Sequence, residues 1–235
     1  MGNSVFQFKQ FEIHQERCAM KVTTDACIQG AWTPTSDNEK NILDIGTGTG
    51  LLALMLAQKA NNSVIDAIEY DNNAALQAKE NFERSAWAPN LNAIHADVTE
   101  YHFTRQYDMV ISNPPFFIDS LKNNSAAATN ARHNATLQFD DLVRIAIEVL
   151  APEGVLSILL PTNEFQIFTE IAAKNNLCLF RKLEIKHTPT SAVKRCVGLF
   201  ATKKTDCQIE VLTIKEKEEY TDAFKRLLTP YYLYL

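Results

Sequence analysis

Asp44-Ile45-Gly46-Thr47-Gly48-Thr49-Gly50 is the stretch that decides the fold. The chain has only 7 glycines, and three of them fall in this window. Asn41 to Ile45, just before it, reads as a buried strand, and Leu51 to Ala60, just after it, as an apolar helix. A tight turn without Cβ atoms at the carboxyl end of a strand lets backbone approach a nucleotide closely, and the following helix start offers free N–H groups. The dinucleotide fingerprint Gly-x-Gly-x-x-Gly would need a third glycine at position 51, which is Leu51. Asp44 would repel a pyrophosphate but suits a cationic ligand.

Outward from the window, short apolar runs alternate with helical patterns. Strands are expected at Val64–Glu69, Leu91–His95, Tyr107–Ser112 and Val155–Leu160, and helices at Asn72–Ser85, Asp140–Leu150 and Thr162 to about Asn175, the last capped by Thr162. Leu177–Lys186 and Lys194–Lys203 follow with no helix between them, so they should pair antiparallel at one end of the sheet. Strand–helix alternation predicts an α/β fold, a mostly parallel sheet of seven strands with helices on both faces. Residues 1–35 precede this rhythm, 113–139 form a long polar insertion, and 205–235 add one more strand, Gln208–Ile214, and a helix near Tyr220–Leu228. The whole chain, 1–235, reads as one domain with an N-terminal segment and a C-terminal strand–helix extension.

Asp-x-Gly-x-Gly-x-Gly resembles motif I of the class I S-adenosylmethionine-dependent methyltransferases, whose fold is Rossmann-like. The resemblance implies that Asp44, Gly46, Thr47, Gly48 and Gly50 bind this cofactor, whose amino group and sulfonium explain the acid. Glu69, at the end of the second strand, is placed to accept hydrogen bonds from both ribose hydroxyls. Asp71 competes for that role but reads more naturally as the cap of the next helix. Asp97 and Val98 follow the third strand, where such enzymes hold the adenine ring; a solvated loop acid is the alternative for Asp97.

Ser112-Asn113-Pro114-Pro115-Phe116 follows the fourth strand. Two prolines cannot continue a central strand. The Asn113 amide oxygen and the Pro114 carbonyl can each accept one N–H of an exocyclic NH2, which aims the nitrogen lone pair at a methyl donor. Phe116 can stack on a planar base. This run resembles motif IV of the amino-methyltransferases that act on adenine, cytosine or glutamine amide. It implies catalytic roles for Asn113, Pro114, Pro115 and Phe116, with Asn113 also at the cofactor, and its Phe leans toward RNA adenine N6 enzymes.

The N-terminal segment narrows the choice. Phe6-Gln7-Phe8-Lys9-Gln10-Phe11, Cys18 to Ala26 and Gly30-Ala31-Trp32 resemble the bacterial tRNA1(Val) adenine-37 N6-methyltransferase family, as do Ala131-Arg132-His133, Leu160-Pro161 and the tail Tyr220 to Leu235. The resemblance covers nearly the whole chain. It implies methyl transfer to N6 of the adenine next to the anticodon of a valine tRNA, with Met20, Lys21, Thr24 and Asp25 forming a lid over the cofactor. Core packing is the competing reading for Met20. The RNA-contact candidates are Arg132, His133, Lys194 and Arg195; a plain surface residue is the competing reading for Arg132, and solvated strand ends for the basic stretch that holds Lys194 and Arg195. The alternatives are a methyltransferase on another amine or amide, such as protein glutamine, and a non-catalytic RNA-binding protein of the same fold.

Composition frames these readings. Five scattered cysteines without a CxxC pair fit reduced thiols in a cytosol. No run of 18 apolar residues spans a membrane, the N-terminus lacks a signal-peptide block, and the five histidines show no metal-ligand spacing. The net charge of −5 first argues against nucleic acid. From Arg181 to Lys204, however, seven basic residues accompany one acid, Glu184, a local excess of 7 − 1 = +6. That basic end is the expected seat of RNA contact.

Overall fold

A computed structural model describes residues 4–35, 40–114, 137–203 and 205–235. A hairpin of β1 (Val5–Gln7) and β2 (Glu12–His14) leads to α1 (Thr24–Trp32). The main alternation follows: β3 (Asn41–Ile45), α2 (Leu51–Lys59), β4 (Val64–Glu69), α3 (Asn72–Glu83), β5 (Leu91–His95) and β6 (Tyr107–Ser112). Beyond residue 137 come α4 (Phe139–Val149), β7 (Leu150–Pro161), α5 (Thr162–Lys174), β8 (Cys178–Lys186), β9 (Arg195–Ala201) and β10 (Gln208–Thr213). A short ribbon of β11 (Lys215–Glu216) and β12 (Glu219–Tyr220) precedes α6 (Asp222–Leu228).

The large sheet runs β10-β8-β9-β7-β6-β3-β4-β5. Among the described residues it has eight strands, one more than the seven read from the sequence, because β10 joins β8 in parallel register instead of standing outside the sheet. β9 alone is antiparallel, to both β7 and β8, so the reversed strand lies inside the sheet and β10 forms the edge. β8 and β9 pair antiparallel as expected. β7 starts at Leu150 rather than Val155, with a register shift opposite Tyr107–Met109. Thr162 is the first residue of α5 and does not cap it; Pro161 occupies the cap position and the Thr162 hydroxyl donates to Val193 O at 2.8 Å.

Alternation along each strand splits the core into two layers. Ile42, Ile65, Ala67, Met109, Ile111 and Leu159 pack under α1, α2, α3 and α6, whereas Leu43, Ile45, Ile68, Val110 and Ile158 pack under α4 and α5. α2 is apolar on nearly every side and buries Leu51 to Ala57 without a break. Each fully buried Leu or Met there contributes about 1.5–3 kcal/mol. Asp44 and Ser157 have the same strand parity as Ile42 and Leu159, which turns them toward the α1–α2 layer.

Candidate active site

β3, β4 and β6 are adjacent and parallel, so their carboxyl ends share one edge of the sheet. The glycine turn, Glu69 and Asn113 all lie there. Gly46, Gly48 and Gly50 have φ of 70°, 56° and 83°, left-handed values that other residues adopt at a cost of about 1–2 kcal/mol. A Cβ on Gly46 or Gly48 would meet nothing within 4 Å among the described residues, whereas one on Gly50 would lie 2.4 Å from Phe82 Cε1. The first two glycines therefore offer bare backbone to open space, and the third is packed against α3.

Hydrogen bonds fix the turn. Gly46 and Thr47 amides donate to Ile68 O at 2.9 and 3.2 Å, and Gly50 N donates to Thr47 O at 2.9 Å. Glu69 accepts from Gly48 N through Oε2 at 2.9 Å and from Asp71 N through Oε1 at 3.0 Å. A carboxylate has about four acceptor sites, so Glu69 keeps capacity for further donors. Asp71 caps α3 by accepting from Ala74 N at 2.9 Å, as its sequence position predicts.

Asp44 is fully buried. Its Oδ2 accepts from Thr47 Oγ1 at 2.6 Å, while Oδ1 has no hydrogen-bond partner among the described residues. Burial pushes its pKa from 3.8 up to about 7; the Thr47 hydroxyl and the Ala53 N–H dipole oppose the rise, and the nearby Glu69 charge adds to it. Such a carboxyl, short of donors beside bare glycine backbone, suits the ammonium of an amino-acid moiety.

Asn113 is half-buried, Pro114 is buried, and Asn113 Oδ1 is a buried acceptor with no donor among the described residues. Pro115, Phe116, Arg132 and His133 lie outside the described residues. Asp97 is partly committed to its own turn: Oδ1 accepts from Thr99 N at 2.8 Å and Thr99 Oγ1 at 2.7 Å. Val98 packs against the α4–α5 core layer.

The N-terminal segment crosses this edge. Asn81, buried on α3, clamps it: Nδ2 donates to Thr49 O at 2.8 Å and His14 O at 2.9 Å, and Oδ1 accepts from His14 N at 3.0 Å. Arg17 pairs with Glu80 at 2.8 Å, and Gln15 Oε1 accepts from Val22 N at 2.8 Å. Cys18 is buried near Glu69 and Asp71; burial first, then these carboxylates and Glu16, push its thiol to about 11 and keep it protonated. Met20 is 45% exposed, and Lys21 and Thr24 are also exposed. Thr23 caps α1 by accepting from Ala26 N at 3.2 Å. Asp25 meets Arg195 at 3.7 Å; burial raises its pKa and Arg195 opposes the shift.

The basic end is less free than its sequence suggests. Arg181 pairs with Glu210 at 2.6 Å and stacks over Trp32, Lys182 pairs with Glu184 at 2.7 Å, and Arg195 meets Asp25. Glu210 and Asp25 come from outside the stretch in which the +6 excess is counted. Lys186, Lys194 and Lys203 form no ion pair among the described residues, and Lys194 and Lys203 are exposed.

Two residues of the site escape sequence reasoning. Asn81 is one, although a polar residue beside Phe82 on the face of Ala75 and Ala78 was a usable signal. Gln29, buried on α1, is the other. No group of His, Cys, Asp and Glu among the described residues could hold a metal ion, and no described helix is long and apolar enough to cross a membrane.

Comparison with known proteins gives this edge a family. Residues 32–167 match the Methyltransferase small domain. Proteins named tRNA1(Val) (adenine(37)-N6)-methyltransferase align over nearly their whole length. The one from Trichodesmium erythraeum is 42% identical over 99% of both chains. The Bacteroides fragilis protein is 40% identical over 99% of both, and that of Flavobacterium psychrophilum 39% over 97% of this chain and 99% of its own. Among solved structures, a predicted O-methyltransferase from Agrobacterium tumefaciens has the same fold, with a TM-score of 0.67 at 18% identity over 88% of this chain and 96% of its own. A Pyrococcus furiosus methyltransferase has a TM-score of 0.56 at 20% identity, covering 80% and 88%. With 39–42% identity along its full length and these motifs at one sheet edge, the chain belongs to the tRNA1(Val) (adenine(37)-N6)-methyltransferase family.

Proposed function

We propose that this protein transfers a methyl group from S-adenosylmethionine to the exocyclic N6 of adenine 37 in a valine tRNA, working in the cytoplasm as one methyltransferase domain with its N- and C-terminal additions. The observation that carries the amino-transfer chemistry is Asn113 Oδ1, a buried acceptor with no donor among the described residues, followed directly by the Pro114 carbonyl, at the end of the strand beside the glycine turn. The tRNA and its position come from the names of the full-length relatives.

The site fits the cofactor on its own terms. Among the described residues, nothing fills the space a Cβ on Gly46 or Gly48 would enter and Asp44 Oδ1 has no partner, while Glu69 is held by two amides with acceptor sites to spare. Asp44 would hold the amino group, Glu69 the ribose hydroxyls, and Asp97 with Val98 the adenine. Met20, Lys21 and Thr24 would close over it. When bound, S-adenosylmethionine supplies a sulfonium methyl whose sulfur leaves as a neutral thioether.

The chain's part is orientation and charge. Asn113 Oδ1 and the Pro114 carbonyl accept the two N6 hydrogens and point the nitrogen lone pair at the methyl. As the new C–N bond forms, positive charge grows on that nitrogen, and the same two acceptors stabilise it. The extra proton then passes to water, so no strong base is required. A loop base is flipped out at lower cost than a paired one, and Phe116 would stack on it. Lys194 and Arg195, with Arg132 and His133, would contact the RNA backbone. The test is incubation with labelled cofactor and either unmodified tRNA or total protein: label in tRNA supports the reading, and label only in protein overturns it.

A further inference from the structure

We propose that Gln29 is a positioning residue that sets the backbone carrying Asn113, and so ties the amino-group acceptor to the helix that begins at Thr24 and Asp25. The inference rests on the reading given above for Asn113. Gln29 is fully buried in α1, where its neighbours Ala26, Cys27 and Ile28 are ordinary core residues. Its Nε2 donates to Ser112 O at 3.0 Å and sits 3.4 Å from Ser157 Oγ and 3.5 Å from Ser157 O. Ser157 Oγ in turn lies 2.7 Å from Thr33 Oγ1 at the end of the same helix.

The place of this bond gives it meaning. Ser112 is the last residue of β6 in register with both neighbours, opposite Ile45 and Ile158. Its hydroxyl donates to Ile45 O at 2.8 Å. Its carbonyl belongs to the peptide group whose nitrogen is that of Asn113, so the Gln29 amide holds the plane from which Asn113 departs. A glutamine serving only to fill space would leave both amide ends unpaired at a cost of about 1–3 kcal/mol. Here the donor end meets Ser112 and Ser157, while Oε1 has no partner among the described residues. The donor is the part the structure uses, and an apolar residue of similar volume would fill the space without it.

The test uses the full chain with Gln29→Leu and Gln29→Glu. Gln29→Leu keeps the volume and removes the donor. The expected result is a kcat for tRNA methylation lowered roughly tenfold, a cofactor Kd within about twofold of wild type, and an unfolding midpoint within about 3 °C. Gln29→Glu donates to Ser112 O only when protonated. Its kcat relative to wild type should therefore be highest at low pH and fall as the pH rises, a profile that mere loss of packing would not produce. Hydrogen exchange of a peptide covering Met109–Asn113 gives a readout that needs no substrate. Faster exchange there in Gln29→Leu, with Asn41–Ile45 unchanged, supports the proposal. Unchanged exchange, a kcat within twofold of wild type, or a cofactor affinity that falls in step with kcat overturns it. An inactive wild type would instead count against the reading of Asn113, while the exchange result still decides the role of Gln29.

Discussion

Gly48 N donates to Glu69 Oε2 at 2.9 Å, so the glycine turn after β3 and the acid that ends β4 form one hydrogen-bonded unit. Two features 21 residues apart in sequence are thereby fixed to each other before any ligand arrives. Glu69→Gln keeps the size but loses the charge that its donors share. Cofactor Kd, measured by calorimetry, should rise about 10- to 100-fold, the range for losing hydrogen bonds to a charged group. An unchanged Kd would remove Glu69 from the binding site.

The glycines predict a split between stability and binding. Gly50→Ala drives a Cβ into the Phe82 ring at 2.4 Å, whereas Gly48→Ala meets open space and carries only left-handed strain. Gly50→Ala should lower the unfolding midpoint several degrees more than Gly48→Ala, at about 2–4 °C per kcal/mol for a chain of this size. Gly48→Ala should lose cofactor affinity out of proportion to its small loss of stability. Equal unfolding midpoints in scanning calorimetry would contradict the packing described for Gly50.

Asp44 gives the site a pH dependence whose sign is fixed. Its folded pKa, about 7, lies above the ordinary 3.8, so the folded state binds the extra proton between these values. Asp44 therefore lowers the stability of the ligand-free protein as pH rises from about 4 to 7. Asp44→Asn should melt above wild type at pH 8, with the difference shrinking toward pH 4. Cofactor affinity should move the opposite way: it strengthens as pH rises through about 7 and Asp44 ionises. Asp44→Asn should bind weakly at every pH. A wild-type Kd that is flat from pH 5.5 to 8.5 would contradict this role.

Asn113→Ala should abolish turnover while cofactor binding survives within a fewfold, because the role proposed for its amide is to hold the methyl-accepting nitrogen rather than the cofactor. Loss of affinity equal to the loss of turnover would refute that separation of roles.

Much of this was legible in the sequence because its signals are local. The strands of the parallel half are runs of apolar residues, and the turn between β3 and α2 carries its own glycine spacing. The Asp71 cap was equally readable from its place before Asn72. α1 was passed over because it contains Gly30, a poor helix former, whose Cβ position lies 2.7 Å from Met55 Sδ; the reason for that glycine is a contact 25 positions away. The pairing of β10 with β8 depends on which edge lies open after β9 inserts, which no local pattern encodes. For the same reason the basic stretch looked freer than it is: Arg181 finds Glu210 across β8 and β10, and Arg195 finds Asp25 at the start of α1.

Those pairs single out Lys194 among the proposed RNA contacts, since it is exposed and forms no ion pair among the described residues. Lys194→Glu should weaken tRNA binding and flatten its salt dependence without changing cofactor Kd. Filter binding across a salt series measures both, and an unchanged slope would move the RNA contact elsewhere.

The most direct test of the central claim is methylation of unmodified valine tRNA with labelled S-adenosylmethionine, followed by nucleotide mapping. The account predicts N6-methyladenosine at position 37, and none when Asn113 is replaced by Ala. Methylation at another nucleotide, or at a ring nitrogen or ribose oxygen instead of the exocyclic amine, would contradict it.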